Sequence, residues 1–353
     1  MKILFSSVSN PHFEALPDYL AVALRRLGHE IVRFDHRRRL LPGRLRRRMP
    51  ILERFDRDQM NRRFLRTVRD IRPDLVLVNQ GPALRWETIE ASRRLGARCV
   101  NWYSDYPREF DEGLAVAPSY DLFLHGASHA ARRHHEARQM HVAWLPFACD
   151  PEIHRPERGA GTGRPPRVVF VGSHYPERQV LLRHLHGLPV EIRGPGWERA
   201  ASDPHVKGMI RGAAMRPPEW RRLFSEAQIV VNIHYGAFGP LEVGGDLANT
   251  RVFEIPACGA LQIVDRQGDV LRLFREDEHL LAYSSGEELR ECVERALGDP
   301  SLRQAVAARG REEVLARHTY EHRARCLTDP RFAGMEIPDR PEAGTRMAVG
   351  ASA

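Results

Sequence analysis

The residues with most chemical potential run from Asn249 to Ala260, in the order Asn-Thr-Arg-Val-Phe-Glu-Ile-Pro-Ala-Cys-Gly-Ala. The segment reads as a short helix that begins on a polar cap, stops on a glycine and passes straight into an apolar strand. Free N–H groups and the dipole at such a start can hold a diphosphate, with Arg251 adding its charge. One turn in, Glu254 can accept from two vicinal hydroxyls of a ribose. An acid at a helix mouth also serves simply to satisfy the dipole, and periodicity alone does not separate these roles. Upstream, Gly172-Ser173-His174-Tyr175-Pro176-Glu177-Arg178 forms a strand-to-helix turn. Its glycine admits a close ligand, and Arg178 can pair with phosphate. Arg193-Gly194-Pro195-Gly196-Trp197 follows another strand and suits either a flat base or a tight turn with a packing Trp197. His234, in Asn-Ile-His at a third strand end, joins this donor-side set.

A hydroxyl that attacks a bound group needs a base to take its proton. His12, just past the first strand, and Asp105, just past the strand 98–102, both fall on carboxyl-end loops, where a His/Asp dyad can form. Capping of the next helix by His12 and of a turn by Asp105 is the plainer alternative. His125, at another strand end, is a further possibility.

The elements that must carry these residues follow from composition and periodicity. At 353 residues the chain is long enough for two domains, and 42% hydrophobic with 28% charged residues excludes wholesale disorder and fibrous repeats. No apolar run reaches membrane-spanning length, and the first residues read as a buried strand rather than a leader. Five cysteines without a C-x-x-C pair argue against a disulfide framework and a structural zinc site, so a reducing cytoplasm is expected. Short Val/Ile/Leu runs alternate with helical stretches, as in parallel sheets covered on both faces. Strands are expected at 3–8, 30–34, 75–79, 98–102, 121–125 and 141–145, then again at 167–172, 189–193, 228–233, 260–264 and 279–283. We therefore expect an α/β chain with a domain over 1–150, a linker over 151–166, a second domain over 167–329 and a disordered tail over 330–353. Gly159, Gly161 and Gly163 precede a strand instead of following one, which disqualifies them as a dinucleotide loop.

The segment from Asn249 to Asp265, the later S-x-E-E-L with A-L-x-D-P-x-x-R, and the closing R-H-T-Y-E-H-R resemble the C-terminal domain of group 1 glycosyltransferases. The closest variety is the bacterial CgeB-like, or spore maturation protein, type. The resemblance extends through V-V-N-I-H at 230–234, R-G-P-G-W at 193–197, V-F-V-G-S at 169–173, L-P-F-A-C-D-P-E-I-H-R-P at 145–156 and N-W-Y-S-D-Y-P at 101–107. It implies a GT-B fold of two tandem Rossmann-like domains with a cleft between them. It also implies a hexosyltransferase-type enzyme with a nucleoside-diphosphate sugar (UDP, GDP or dTDP) on the second domain, an acceptor on the first, and no metal or other cofactor. In the wider family the acid that contacts ribose matches Glu254. Its partner eight positions earlier falls on Asp246, and no lysine follows Arg178, so Arg251 or Arg183 would stand in. The donor set expected from both readings is Gly172, Ser173, Arg178, Gly194, Trp197, His234, Asn249, Arg251 and Glu254, with His12 and Asp105, from their loop positions, as the expected catalytic residues. A nucleotide-sugar epimerase of the same fold and a non-catalytic assembly protein with this shell are the alternatives.

Net charge is +8, yet it is concentrated. From Arg33 to Arg72 there are 15 arginines against five acids, a balance of +10, which leaves the remainder slightly negative. Two expectations compete here: a solvated arginine-rich helix, or a basic patch giving peripheral contact with an anionic membrane. Nucleic acid is not expected, because no aromatic residues interleave at stacking intervals. Asp56-Arg57-Asp58 sits inside this helical stretch, away from any strand end, and reads as a solvated face with no metal role.

Overall fold

A computed structural model describes residues 1–8, 15–38, 41, 44, 48–81, 83–104, 115–139, 141–157, 167–212, 215–234 and 247–335. The described residues divide into two units, Met1–Pro146 with 320–335, and Phe147–Thr319. In the first unit the strands are β1 (Lys2–Ser7), β2 (Glu30–Asp35), β3 (Leu75–Asn79), β4 (Arg98–Tyr103), β5 (Leu122–His125) and β6 (Val142–Trp144). They pair in the order β2-β1-β3-β4-β5-β6, every pairing parallel. The helices are α1 (Leu16–Arg26), α2 (Pro50–Ile71), α3 (Trp86–Arg94) and α4 (Ser128–Glu136). β3 reads Leu-Val-Leu-Val-Asn and is buried throughout, as expected of a parallel strand covered on both faces.

The second unit repeats the plan with β7 (Arg167–Val171), β8 (Val190–Arg193), β9 (Ile210–Gly212), β10 (Gln228–Asn232), β11 (Leu261–Asp265) and β12 (Leu281–Tyr283). Their order is β12-β11-β10-β7-β8-β9. The helices are α5 (Pro176–Arg183), α6 (Pro217–Ala227), α7 (Thr250–Ala257), α8 (Gly268–Leu273), α9 (Gly286–Gly298) and α10 (Pro300–Arg317). Val168, Phe170, Ile192, Ile229, Val231, Leu261 and Ile263 from the strands pack with Leu181, Leu182, Leu289 and Val293 from α5 and α9. Burying each such side chain contributes roughly 1.5–3 kcal/mol before chain entropy is subtracted. β9 is the strand that the sequence pattern misses: at three residues, beside an irregular register at Ile192/Arg193, it is too short to show alternation.

Three boundaries differ from the expected ones. The helix α11 (Tyr320–Thr328) belongs to the first unit, not the second. Tyr320 lies against Tyr19 of α1 and Trp102 of β4, and Arg323 Nε donates to the Pro146 carbonyl at 2.8 Å. The expected linker starts as packed structure: His154 is buried with its ring stacked on Trp220. Its remainder, 158–166, lies outside the described residues. The expected tail begins ordered, since Met335 N–H donates to the Trp144 carbonyl at 2.9 Å, while residues 336–353 lie outside the described residues.

Gly310, midway along α10, shows how tightly the second unit is assembled. A Cβ there would sit 2.3 Å from the His279 carbonyl oxygen, so the helix approaches that backbone only because the side chain is a hydrogen. Helix propensity alone favours alanine by about 1 kcal/mol. Gly310→Ala is nevertheless expected to lower the thermal unfolding midpoint, with a cost of about 1–3 kcal/mol from overpacking. Gly298→Ala, at a helix position with nothing within 4 Å, should leave the midpoint unchanged or raise it. Equal behaviour of the two variants would refute the steric account.

Candidate functional site

In the second sheet the chain leaves β7 toward β8 and β9, then returns to place β10 on the other side of β7. The carboxyl ends of β7 and β10 therefore flank a topological switch point, where ligands of open α/β sheets bind. Arg178, in the first turn of α5, bridges these two strand ends. Its Nη1 donates to the Ser173 carbonyl at 2.9 Å and its Nη2 to the Ile233 carbonyl at 2.7 Å. The guanidinium lies over Tyr175 at 4.9 Å and Phe170 at 5.4 Å. Burial pulls its pKa below the usual arginine range, while Tyr175 and Asp265 act in the opposite direction.

Gly172 and Gly194 meet beside it. Gly194 has φ +146°, and a Cβ there would fall 2.0 Å from the Gly172 carbonyl oxygen, so this crossing of β7 and β8 ends admits glycine alone. Trp197 Nε1 donates to that same carbonyl at 2.9 Å. Its ring packs edge-on against Phe170 and His174 and is 1% exposed. Of the two sequence readings of Trp197, the packing one holds; a base cannot stack on a ring already enclosed.

The start of α7 is fixed from below by a chain of polar contacts. Asp265, at the end of β11 and fully buried, accepts the His234 backbone N–H and the His234 ring Nδ1–H, both at 2.9 Å. His234 Nε2 in turn accepts the Asn249 N–H at 3.1 Å. That acceptance assigns the neutral Nδ1–H tautomer to the ring. Burial pushes the Asp265 carboxyl up, but the contacts with His234 and Gln267 outweigh it and hold the group below the usual aspartate range. Asn249 caps α7 through Oδ1, which accepts the Val252 N–H at 3.2 Å. The Asn232 and Asn249 amides also exchange hydrogen bonds at 3.1 and 3.0 Å, tying the cap to the end of β10. His234, expected to touch the donor, has both ring nitrogens occupied and instead positions the cap.

Arg251 and Glu254 form a pair, Nη1 to Oε2 at 2.5 Å. The Arg251 guanidinium rests on Trp220 of α6, 3.9 Å from the ring centroid. Glu254 is 6% exposed, and its Oε1 stands 3.7 Å from His154 Nε2. Burial lowers the His154 pKa, with Glu254 opposing it. Burial and Glu254 together push the neighbouring Cys258 thiol up to about 12, which makes it a poor nucleophile at neutral pH. Ser173 is half-buried on the loop that Arg178 braces. The structure thus gathers Gly172, Ser173, Arg178, Gly194, His234, Asn249, Arg251 and Glu254 in one unit around the carboxyl edge of its sheet. His12, Asp105 and Asp246 lie outside the described residues. Among the described residues no group of three or more His, Cys, Asp or Glu is arranged to hold a metal ion. Asn232, Asp265, His154 and Trp220 were not singled out from sequence. A polar residue closing a Val/Ile strand, as Asn232 and Asp265 do, is the signal that could have found two of them.

Residues 178–329 match the model of a glycosyl transferase-like family. No curated protein matches the chain. Among solved structures, HepE of Anabaena in complex with UDP and glucose superposes with a TM-score of 0.65 at 12% identity, over 92% of this chain and 97% of that one. Sucrose-phosphate synthase of Thermosynechococcus elongatus gives 0.65 at 14%, over 92% and 96%. The lipopolysaccharide outer core galactosyltransferase WaaB gives 0.59 at 11%, over 92% and 98%. The chain has the GT-B fold, and its second half is similar to a glycosyl transferase-like family.

Proposed function

We propose that the protein transfers a glycosyl group from a nucleoside-diphosphate sugar, with a uridine nucleotide the first candidate, to a hydroxyl acceptor. The observation that carries this reading is the pinned start of α7 beside the switch point of the second sheet. A helix start fixed in this way presents its N–H groups and dipole to a diphosphate without reorganising when charge develops. The binding of UDP by HepE supports the choice of ligand class. Glu254, oriented by Arg251, keeps lone pairs for the ribose hydroxyls.

As the bond from the anomeric carbon to the β-phosphate oxygen breaks, negative charge grows on the leaving diphosphate. The α7 start and the arginine side chains meet it, so the reaction is proposed to need no metal. The acceptor oxygen takes the anomeric carbon and loses its proton to a base. His12 and Asp105, which follow β1 and β4 in the chain, are our candidates for that base, or for a base and its orienting partner.

UDP at 100 times its dissociation constant should raise stability by about 2.7 kcal/mol, read as a shift in melting temperature. Glu254→Gln should weaken that binding on the order of tenfold, the worth of one charged hydrogen bond. No shift with UDP, GDP or dTDP would reject the donor reading. Hydrolysis or transfer measured with the best nucleotide sugar should be unchanged by EDTA.

The depressed pKa of Asp265 sets a pH test. A carboxyl held lower in the folded than in the unfolded chain contributes stability above its unfolded pKa of about 3.9, and loses it as pH falls through the folded value. Asp265→Asn should therefore melt lower than wild type at pH 7, by about 2–4 kcal/mol, with the gap narrowing below about pH 4. A gap independent of pH would show that the charge of Asp265 contributes nothing.

A further inference from the structure

α2 departs from the charge pattern of the other helices. Several exposed arginines on other helices pair with an acid one turn away, as in Arg94–Glu90, Arg222–Glu226, Arg290–Glu294 and Arg325–Glu321. On α2, Arg54, Arg62, Arg66 and Arg69 are exposed, and none makes an ion pair among the described residues. The acids of this helix do not compensate them. Asp58 pairs with Arg85 of the loop before α3, Glu53 and Asp56 have partners of their own, and Asp70 is the one exposed carboxylate, at the far end.

The same helix carries apolar surface in water. Ile51 is 71% exposed and Phe55 51%, and Met49, just before the helix, is 49% exposed. At 100° per residue, Ile51, Phe55, Arg62, Arg66 and Arg69 fall within an arc of about 60°. Met60, Phe64 and Val68 occupy the opposite side and are buried. The outward stripe thus runs over about 27 Å of helix from an apolar start, past Asp58, whose charge is matched by Arg85, to a cationic end.

We propose that this face of α2 docks on an anionic lipid bilayer. Ile51, Phe55 and Met49 enter the boundary between headgroups and acyl chains, while Arg54, Arg62, Arg66 and Arg69 meet the lipid phosphates. A nucleic acid or other soluble polyanion would satisfy the arginines and leave the apolar end in water, so the lipid surface is the better fit to the whole stripe. The inference is independent of the donor site, which lies in the other unit.

Flotation of the full chain with vesicles tests it. The protein should associate with vesicles of phosphatidylcholine containing phosphatidylglycerol and not with phosphatidylcholine alone, and should detach as salt shortens the screening length. The triple replacement R62Q/R66Q/R69Q should weaken association on the order of 100-fold, several-fold per arginine. I51S/F55S should weaken it at least tenfold. Both variants alter exposed side chains and should melt as wild type; the single change R66E supplies an independent reading if the triple variant does not fold. Absence of binding to phosphatidylglycerol vesicles, or triple and R66E variants that bind as wild type, would overturn the proposal. So would an I51S/F55S variant that binds like wild type while a DNA duplex displaces the vesicles, because the face would then serve polyanions in general.

Discussion

The candidate site depends on one buried carboxylate. Asp265 orients His234, and His234 holds the backbone of Asn249, so the first turn of α7 is set by a group on a neighbouring strand. A helix of eight residues is too short to hold its position by propensity. Without the polar chain behind it, the N–H groups at its start would be free to turn toward water. The exchange of amide hydrogen bonds between Asn232 and Asn249 fixes the same cap from β10, so two strands determine where the helix points.

Arg178 performs a related task across the switch point. By donating to carbonyls after β7 and β10 it locks the spacing of the two strand ends, with its charge stabilised by aromatic faces. The glycine crossing at Gly172 and Gly194 brings the β7 and β8 ends close, and Trp197 closes the layer beneath. Residues that look like ligand contacts in the sequence are thus partly the supports that make the contact surface rigid. Rigidity is what electrostatic stabilisation of a leaving group requires, because dipoles that must rotate during the reaction give up much of their advantage.

Arginine serves opposite ends in the two units. At the candidate site of the second it is paired and enclosed, as with Arg251 between Glu254 and Trp220. On α2 of the first, Arg54, Arg62, Arg66 and Arg69 are exposed and make no ion pair among the described residues, next to apolar side chains. A composition bias toward arginine explains the number of these residues and not this division. The difference lies in which partner an acid takes: Asp58, one helical turn from both Arg54 and Arg62, pairs with Arg85 instead.

The sequence by itself determined the class of fold and most of its elements. Runs such as 75–78 and 229–231 are apolar without interruption, and only a strand covered on both faces buries them fully. It also marked the cap at Asn249, because a polar residue before an apolar helical period is a local signal. Tertiary structure alone decided what the marked residues touch. Trp197 and His234 are read from sequence as ligand contacts, yet one is sealed by Phe170 and His174 and the other is spent on Asp265 and Asn249, partners that no local spacing encodes. The same holds for α11, whose helical period is plain while its return to the first unit rests on contacts of Tyr320 and Arg323 with residues 177 to 301 positions away in the chain. Periodicity reports which face of an element is apolar; which surface covers that face is a property of the assembled chain.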